Sequence, residues 1–243
     1  MEDLGSSVTE WRRFRVVWAI FSWFLVESLV FGFAVLPAAI FWVWLFDRQV
    51  GEEWLRILIL AMSLFPAFFI FAIALMVLSA GAARLLGWRT PANAEMRIVD
   101  FGWPLLDWAR YLMMNHIVRV FVGTLLRATP LWTLYIRLNG ARVGRGVYVN
   151  SLAVMDHNLL EIGDWATIGS DVHLAGHTFE AGMVKTAPVR IGARAMIGVG
   201  SWIGIGVEIG EGAQVGALSV VPKYRVIEPG AVHTGGSEGR VDV

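Results

Sequence analysis

The 243-residue chain contains no cysteine. That excludes disulfides, thiolate-held metals and a cysteine nucleophile, and it removes the redox compartment as a clue. Charge is also scarce: 16% of residues are Asp, Glu, Lys or Arg, against about 25% in an ordinary soluble chain. The 20 basic and 20 acidic residues cancel to a net charge of zero. With no basic excess to neutralise a phosphate backbone, a nucleic-acid partner is not expected. The chemistry left open is that of His, Ser or carboxylates. What the chain has in abundance is apolar surface: 56% of residues are hydrophobic, and mean hydropathy is +0.60.

That surface is of two kinds. Up to about Asn139 the chain carries nearly all the Phe and most of the Trp; after Gly140 it carries most of the 26 Gly, with Val and Ile beside them. In the first half, Val16 to Phe46 is an apolar run broken by one charge, Glu27, and Ile57 to Ala83 has none. Each exceeds the roughly 20 residues that cross about 30 Å of hydrocarbon as a helix. Both are longer than the roughly 7–15 residues of a signal-peptide core. The short polar linker between them, residues 47–53, makes the expectation for residues 1–100 a transmembrane hairpin with spans near 16–46 and 57–83. Arg12, Arg13 and Arg15 precede the first run, Arg84, Arg89 and Arg97 follow the second, and the linker region holds Arg48 and Arg56. The positive-inside rule then places both termini in the cytoplasm. Glu27 is an intramembrane ionisable group, of a kind that marks either function or a structural hydrogen bond. Pro37 and Pro66 are expected to kink the helices. Residues 101–138 alternate Leu, Met, Val and Phe with Arg110, His116, Arg119 and Arg127, which suggests interfacial helices on a membrane surface.

The second half is a repeat. Aliphatic–small pairs recur every six residues: Val143-Gly144, Val149-Asn150, Ile162-Gly163, Ile168-Gly169, Leu174-Ala175, then Ile191-Gly192, Ile197-Gly198, Ile203-Gly204, Ile209-Gly210 and Val215-Gly216. A six-residue period fits neither a helix nor an ordinary strand. It predicts a parallel β-helix of hexapeptide repeats over residues 139–232, about four coils of three hexapeptides each, with a tail from 233 to 243. Leu174 to Ile191 covers 17 residues where six are expected, so about 11 leave the solenoid as a loop. A loop extruded from a rigid frame is a favoured place for function.

The stretches "IGSDVHLAGHTFEAG" and "VRIGARAMIGVGSWIGIGVEIGEGAQVGALSVV" resemble the coils of the left-handed β-helix acyltransferases of the hexapeptide-repeat superfamily. "ATPLWTLYIRLNGARVGRGVYV", "LLEIGD", "HTFEAGMVK" and "ALSVVPK" are similar to the membrane-bound C-terminal unit of nonribosomal peptide synthetases of the ε-poly-lysine synthetase type. The resemblance implies a left-handed β-helix and a homotrimer with sites between adjacent copies. It implies an acyl or aminoacyl group passing from acyl-CoA, or from a phosphopantetheine thioester on a carrier protein, to an amine or hydroxyl. The acceptor would be a small molecule, an amino acid or a lipid-linked group, and the setting a bacterial inner membrane with the β-helix cytoplasmic. His177 matches the position of the family's catalytic His, and Asn150 that of an Asn that contacts the acceptor. Gly198, Gly204, Ser219 and Lys223 fall on the donor-binding coils, with Lys223 and Lys185 available to phosphates.

Acyl transfer needs a base, which an imidazole suits, and an oxyanion donor, often a backbone N–H in a glycine-rich turn. Glu180 is close enough in sequence to orient the His177 ring, and Asp156 stands in an Asp156-His157 pair that resembles a serine acetyltransferase motif in which that His is the base. Two other classes remain open. His157, His173 and His177 fall within about one coil, and zinc accepts neutral imidazoles. The trio resembles the three-His site of γ-class carbonic anhydrases, which share the fold; a metal is nonetheless not expected. The other class is a non-catalytic trimeric membrane scaffold.

Overall fold

The computed structural model describes residues 2–47 and 51–235. Residues 236–243, most of the expected tail, and Arg48 to Val50 of the linker lie outside the described residues. Helices α1 (Glu2–Asp47) and α2 (Glu53–Leu85) contain both apolar runs. Pro37 and Pro66 sit inside helices that continue across them. The two helices pair along their length. Trp42 Nε1 donates to Ser63 Oγ across the pair at 3.0 Å, and Phe31 packs on Phe71 with ring centres 5.2 Å apart. Only 17% and 22% of their most apolar stretches is buried, so most of their Phe, Leu and Ile faces outward, unlike core helices. Glu27 is an exception. It is buried and accepts from Trp23 Nε1 on its own helix, one turn away, at 3.2 Å.

After α2 the chain runs through a short strand, β1 (Glu95–Arg97), into α3 (Trp103–Val118). Pro104 sits in the first turn of α3, where its missing N–H costs nothing. Across 101–138, where interfacial helices are expected, one apolar side is taken up by protein. Tyr111, Met114, Val118 and Val122 are buried in a core shared with α2 and the β-helix, while Val120, Phe121 and Leu125 stay exposed. A π-helical turn at Arg119–Gly123 carries α3 onward.

The parallel β-helix of hexapeptide coils follows as the repeat predicts. Two-residue strands stack on three faces. One face pairs Val143, Ile162, Ile191, Ile209 and Ile227 in register. The second pairs Val149, Ile168, Ile197, Val215 and His233. The third runs from Val154 through Leu174, Ile203 and Val221. The aliphatic members point inward and, apart from the half-buried Val143 of the first coil, are almost fully buried, each of these contributing about 1.5–3 kcal/mol over exposure.

A parallel solenoid leaves the carbonyls of its first coil without partners. Here the helical half supplies them. Trp132 Nε1 donates to Ser151 O (3.2 Å) from α4 (Pro130–Leu138), Thr133 Oγ1 to Val147 O (3.4 Å) and Arg137 Nε to Val143 O (3.1 Å). Arg119 Nη1 donates to Leu152 O at 3.3 Å. The cap therefore joins the two halves through one apolar core.

Candidate functional site

The extruded segment is a β-hairpin. β2 (His177–Glu180) pairs antiparallel with β3 (Met183–Thr186), and Ala181 and Gly182 turn it with φ of 48° and 74°. Two positive φ values match the turn that follows strand twist in a two-residue hairpin. β1 adds a third strand alongside β3. Thr186 fixes the base of the hairpin: its Oγ1 donates to Pro91 O (2.6 Å) and accepts from Ala94 N (3.0 Å).

The hairpin brings His177 onto Asp156, with Nδ1 2.5 Å from Oδ2. Asp156 sits in left-handed backbone (φ 53°), a conformation Asp tolerates better than most side chains, just before a tight turn at His157–Leu159. Its carboxylate is 1% exposed and saturated. Oδ2 also accepts from Gly176 N (3.0 Å), and Oδ1 accepts from Thr90 Oγ1 (2.7 Å) and Trp108 Nε1 (3.1 Å). A Cβ at Gly176 would crowd this approach, lying 2.8 Å from Leu159 Cδ1 and 3.2 Å from Asp156 Cβ. Burial pushes the Asp156 carboxyl up. The hydrogen bond and charge of His177, with the bonds from Thr90 and Trp108, outweigh it and hold the group below the ordinary carboxylate range. The acid is therefore ionised and accepts Nδ1–H, which leaves Nε2 as the imidazole's basic nitrogen. Trp108 packs edge-on to the imidazole with centres 5.0 Å apart, and Phe179 lies 5.8 Å from it.

Of the expected residues, His177 and Asp156 come together. Glu180 does not orient the ring. In an extended strand, residues three apart point to opposite faces, so Glu180 leaves on the other side and meets Lys223 Nζ (3.1 Å) and Lys185 Nζ (3.7 Å). Lys223 and then Lys185 hold its carboxyl below the usual value, and Glu95 raises Lys185. Lys223 thus stands beside the hairpin. Asn150 follows a strand of the second face, whereas His177 follows one of the third, so the two occupy different corners. Gly198 and Gly204 are held by stacking: a Cβ would lie 2.4 Å from Ala217 N and 2.7 Å from Lys223 N respectively. Ser219 is 1% exposed and its Oγ accepts from Gly235 N, so it faces the solenoid interior.

The rival histidines have other duties. His157 is buried, donates from Nε2 to Val154 O (3.1 Å) and meets the Tyr135 ring edge-on. Burial pulls its pKa down to about 4, so it stays neutral and out of reach of a substrate. His173 stacks parallel on Trp202, with burial and then His177 lowering its pKa. Among the described residues no three His, Asp or Glu are placed to hold a metal.

Thr90 and Trp108 complete the site without any signature in the sequence. Neither lies in a repeat or motif, and they stand 7 and 25 residues beyond Ala83, the end of the second apolar run.

No protein-family model matches the chain. A 111-residue segment, 44% of the chain, is 29% identical to 8% of the length of a delta-poly-L-ornithine synthetase of Acinetobacter baumannii. In structure, 41% of the chain superposes on 60% of a hexapeptide-repeat acetyltransferase of Vibrio cholerae, at 23% identity and a TM-score of 0.35. A serine acetyltransferase of Neisseria gonorrhoeae in complex with serine is covered over 65% of its length by 85% of this chain, at 19% identity and a TM-score of 0.32. The chain thus spans a small part of the poly-ornithine synthetase it matches and less than two thirds of each of these two acetyltransferases.

Proposed function

We propose that this protein is a membrane-embedded acyltransferase, with His177 as general base and Asp156 as the carboxylate that orients it. The observation that carries this reading is the buried, ionised Asp156 on His177 Nδ1 at 2.5 Å. That arrangement fixes the tautomer, stabilises the imidazolium formed in the reaction and leaves Nε2 for proton transfer.

The acyl group comes from a CoA or carrier-protein thioester. His177 Nε2 takes the proton from an amine or hydroxyl acceptor as its lone pair attacks the thioester carbonyl. The tetrahedral intermediate collapses with cleavage of the C–S bond, and the imidazolium returns the proton to the departing thiolate. An amide or ester and a free thiol result. Lys223, beside the hairpin, is available to a phosphate of the donor. The exposed apolar faces of α1 and α2 support insertion in a bilayer. The Arg residues flanking the two runs support a cytoplasmic β-helix, and the hexapeptide-repeat motifs of the sequence support a homotrimer with sites between adjacent copies.

Thiol release tests this. The purified protein is offered acetyl-CoA, longer acyl-CoA and aminoacyl-pantetheine with amine acceptors. Release that depends on acceptor and is lost in His177→Ala is expected. Unchanged release in that variant overturns the assignment of the base, and no release with any donor favours a scaffold.

A further inference from the structure

A second site lies where α2 ends. A cavity of about 320 Å³ is enclosed by the last turn of α2, by α3 and by the first coil, and its walls include Ala80, Ala83, Arg84, Trp88, Arg89 and Tyr111. Two arginines line it and no carboxylate does. Both are exposed, and among the described residues neither forms an ion pair; Arg84 makes one hydrogen bond, to Arg137 O at 3.3 Å. The small side chains of Ala80 and Ala83 leave an apolar wall on the helix side. Outside its wall, Leu85 and Leu86 follow Arg84 in the chain and are 89% and 48% exposed. An uncovered leucine pair next to two unpaired guanidinium groups is a poor surface for water and a good one for an amphiphile. If α2 spans a bilayer as proposed above, this end lies at the depth of the lipid phosphates.

We propose that this cavity binds a phosphate group, carried by an anionic lipid, with Arg84 and Arg89 as its ligands. Guanidinium pairs hold phosphate oxygens through charge-assisted hydrogen bonds. The acyl chain lies outside the cavity, on the exposed apolar face of α2 that ends in Leu85. The cavity communicates with the dyad through the next residue. Thr90 follows Arg89 and donates to Asp156, and Asn158, which also lines the cavity, holds the Thr90 backbone at both N and O (3.2 and 2.7 Å). A bound phosphate therefore braces the segment that carries one of the donors to Asp156.

Native mass spectrometry of the full chain, released from nanodiscs of phosphatidylcholine and phosphatidylglycerol in equal amounts, decides the matter without an activity assay. Phosphatidylglycerol should be retained in preference. The Arg84→Gln/Arg89→Gln variant should lose that preference by about thirtyfold, the effect of two basic residues at about 1 kcal/mol each near an anionic surface. Arg225→Gln, which removes an exposed charge just before the strand Val226–Ile227 at the other end of the β-helix, should keep it. Inorganic phosphate at millimolar concentration is the second arm. Failure to displace the lipid supports a lipid ligand; displacement keeps the phosphate site and overturns the lipid as its occupant. Equal retention of the two lipids by the wild-type chain, or full retention by a double variant with unchanged circular dichroism, overturns the proposal. Vesicle flotation of the wild-type chain reports separately on the membrane reading, and phosphate binding in detergent still decides the site if flotation fails.

Discussion

The β-helix and the segment joining it to the helical hairpin contribute to the same site by opposite means. The β-helix is periodic: each of its rungs is set by the one below, and Gly163, Gly192, Gly198 and Gly210 sit where a Cβ would strike the backbone of the next coil. It supplies Asp156 and a mouth for the hairpin that holds His177. The segment from Trp88 to Trp108 has no period. It supplies Thr90, β1 and Trp108, which together surround Asp156 and fix the hairpin. The frame gives His177 and Asp156 their places, and the aperiodic segment adds two of the donors that, after His177 itself, keep the carboxylate ionised. A soluble β-helix could supply the first; the second comes from residues that follow the apolar helices.

Changing the carboxylate should separate the halves most sharply. Asp156→Asn keeps the shape but removes the charge and offers an N–H₂ where His177 and Gly176 both donate. Transfer should fall by roughly three to four orders of magnitude, the scale for a carboxylate that orients a catalytic His, with the β-helix signature in circular dichroism intact. A loss under about tenfold would mean the carboxylate only fills space. Trp108→Phe is the matching change on the aperiodic side. It keeps an aromatic ring against His177 but removes the Nε1 donor. A hydrogen bond to a charged group is worth about 1.5–3 kcal/mol, so kcat should fall roughly tenfold to a hundredfold with KM little changed. A rise in KM alone would put Trp108 in substrate contact instead.

Acid should act on the frame. His157 titrates near 4 in the folded chain and near 6.5 unfolded, so below pH about 6.5 the unfolded chain binds more protons and stability falls as pH falls. Asp156, also held low, has the same sign. Thermal melts should be flat above about pH 7 and drop steadily towards pH 4; His157→Gln should flatten the upper part of that drop. A melt that rises on acidification would contradict the buried neutral state. The smallest effect is expected at Glu180→Gln. Its bonds to Lys223 and Lys185 lie on an exposed surface, where ion pairs are screened, so transfer should change by less than about fivefold. A loss as large as that of Asp156→Asn would restore Glu180 to the dyad.

The frame was legible because periodicity survives in a single sequence. Ile162, Ile168, Leu174 and their successors announce inward positions six apart, and the break before Ile191 marks where the chain leaves the solenoid. That the break folds as a hairpin was less visible, although Ala181-Gly182 carries a weak turn signal. Proximity in sequence misplaces Glu180, because strand alternation sends it away from His177. Asp156 stands out in the sequence for its neighbour His157, yet it serves His177, 21 residues on, a pairing that only the return of the next coil creates. Thr90 and Trp108 reach Asp156 across separations of 66 and 48 residues, and no local pattern encodes such contacts.

The central claim is that Asp156 acts through His177, and a double-mutant cycle on thiol release tests it most directly. Asp156→Asn, His177→Ala and the two together are compared with the wild-type chain under saturating donor. Groups that work as a unit are strongly non-additive. The account predicts that adding Asp156→Asn to His177→Ala costs less than about twofold beyond His177→Ala alone. Losses that multiply would show two independent roles and contradict it.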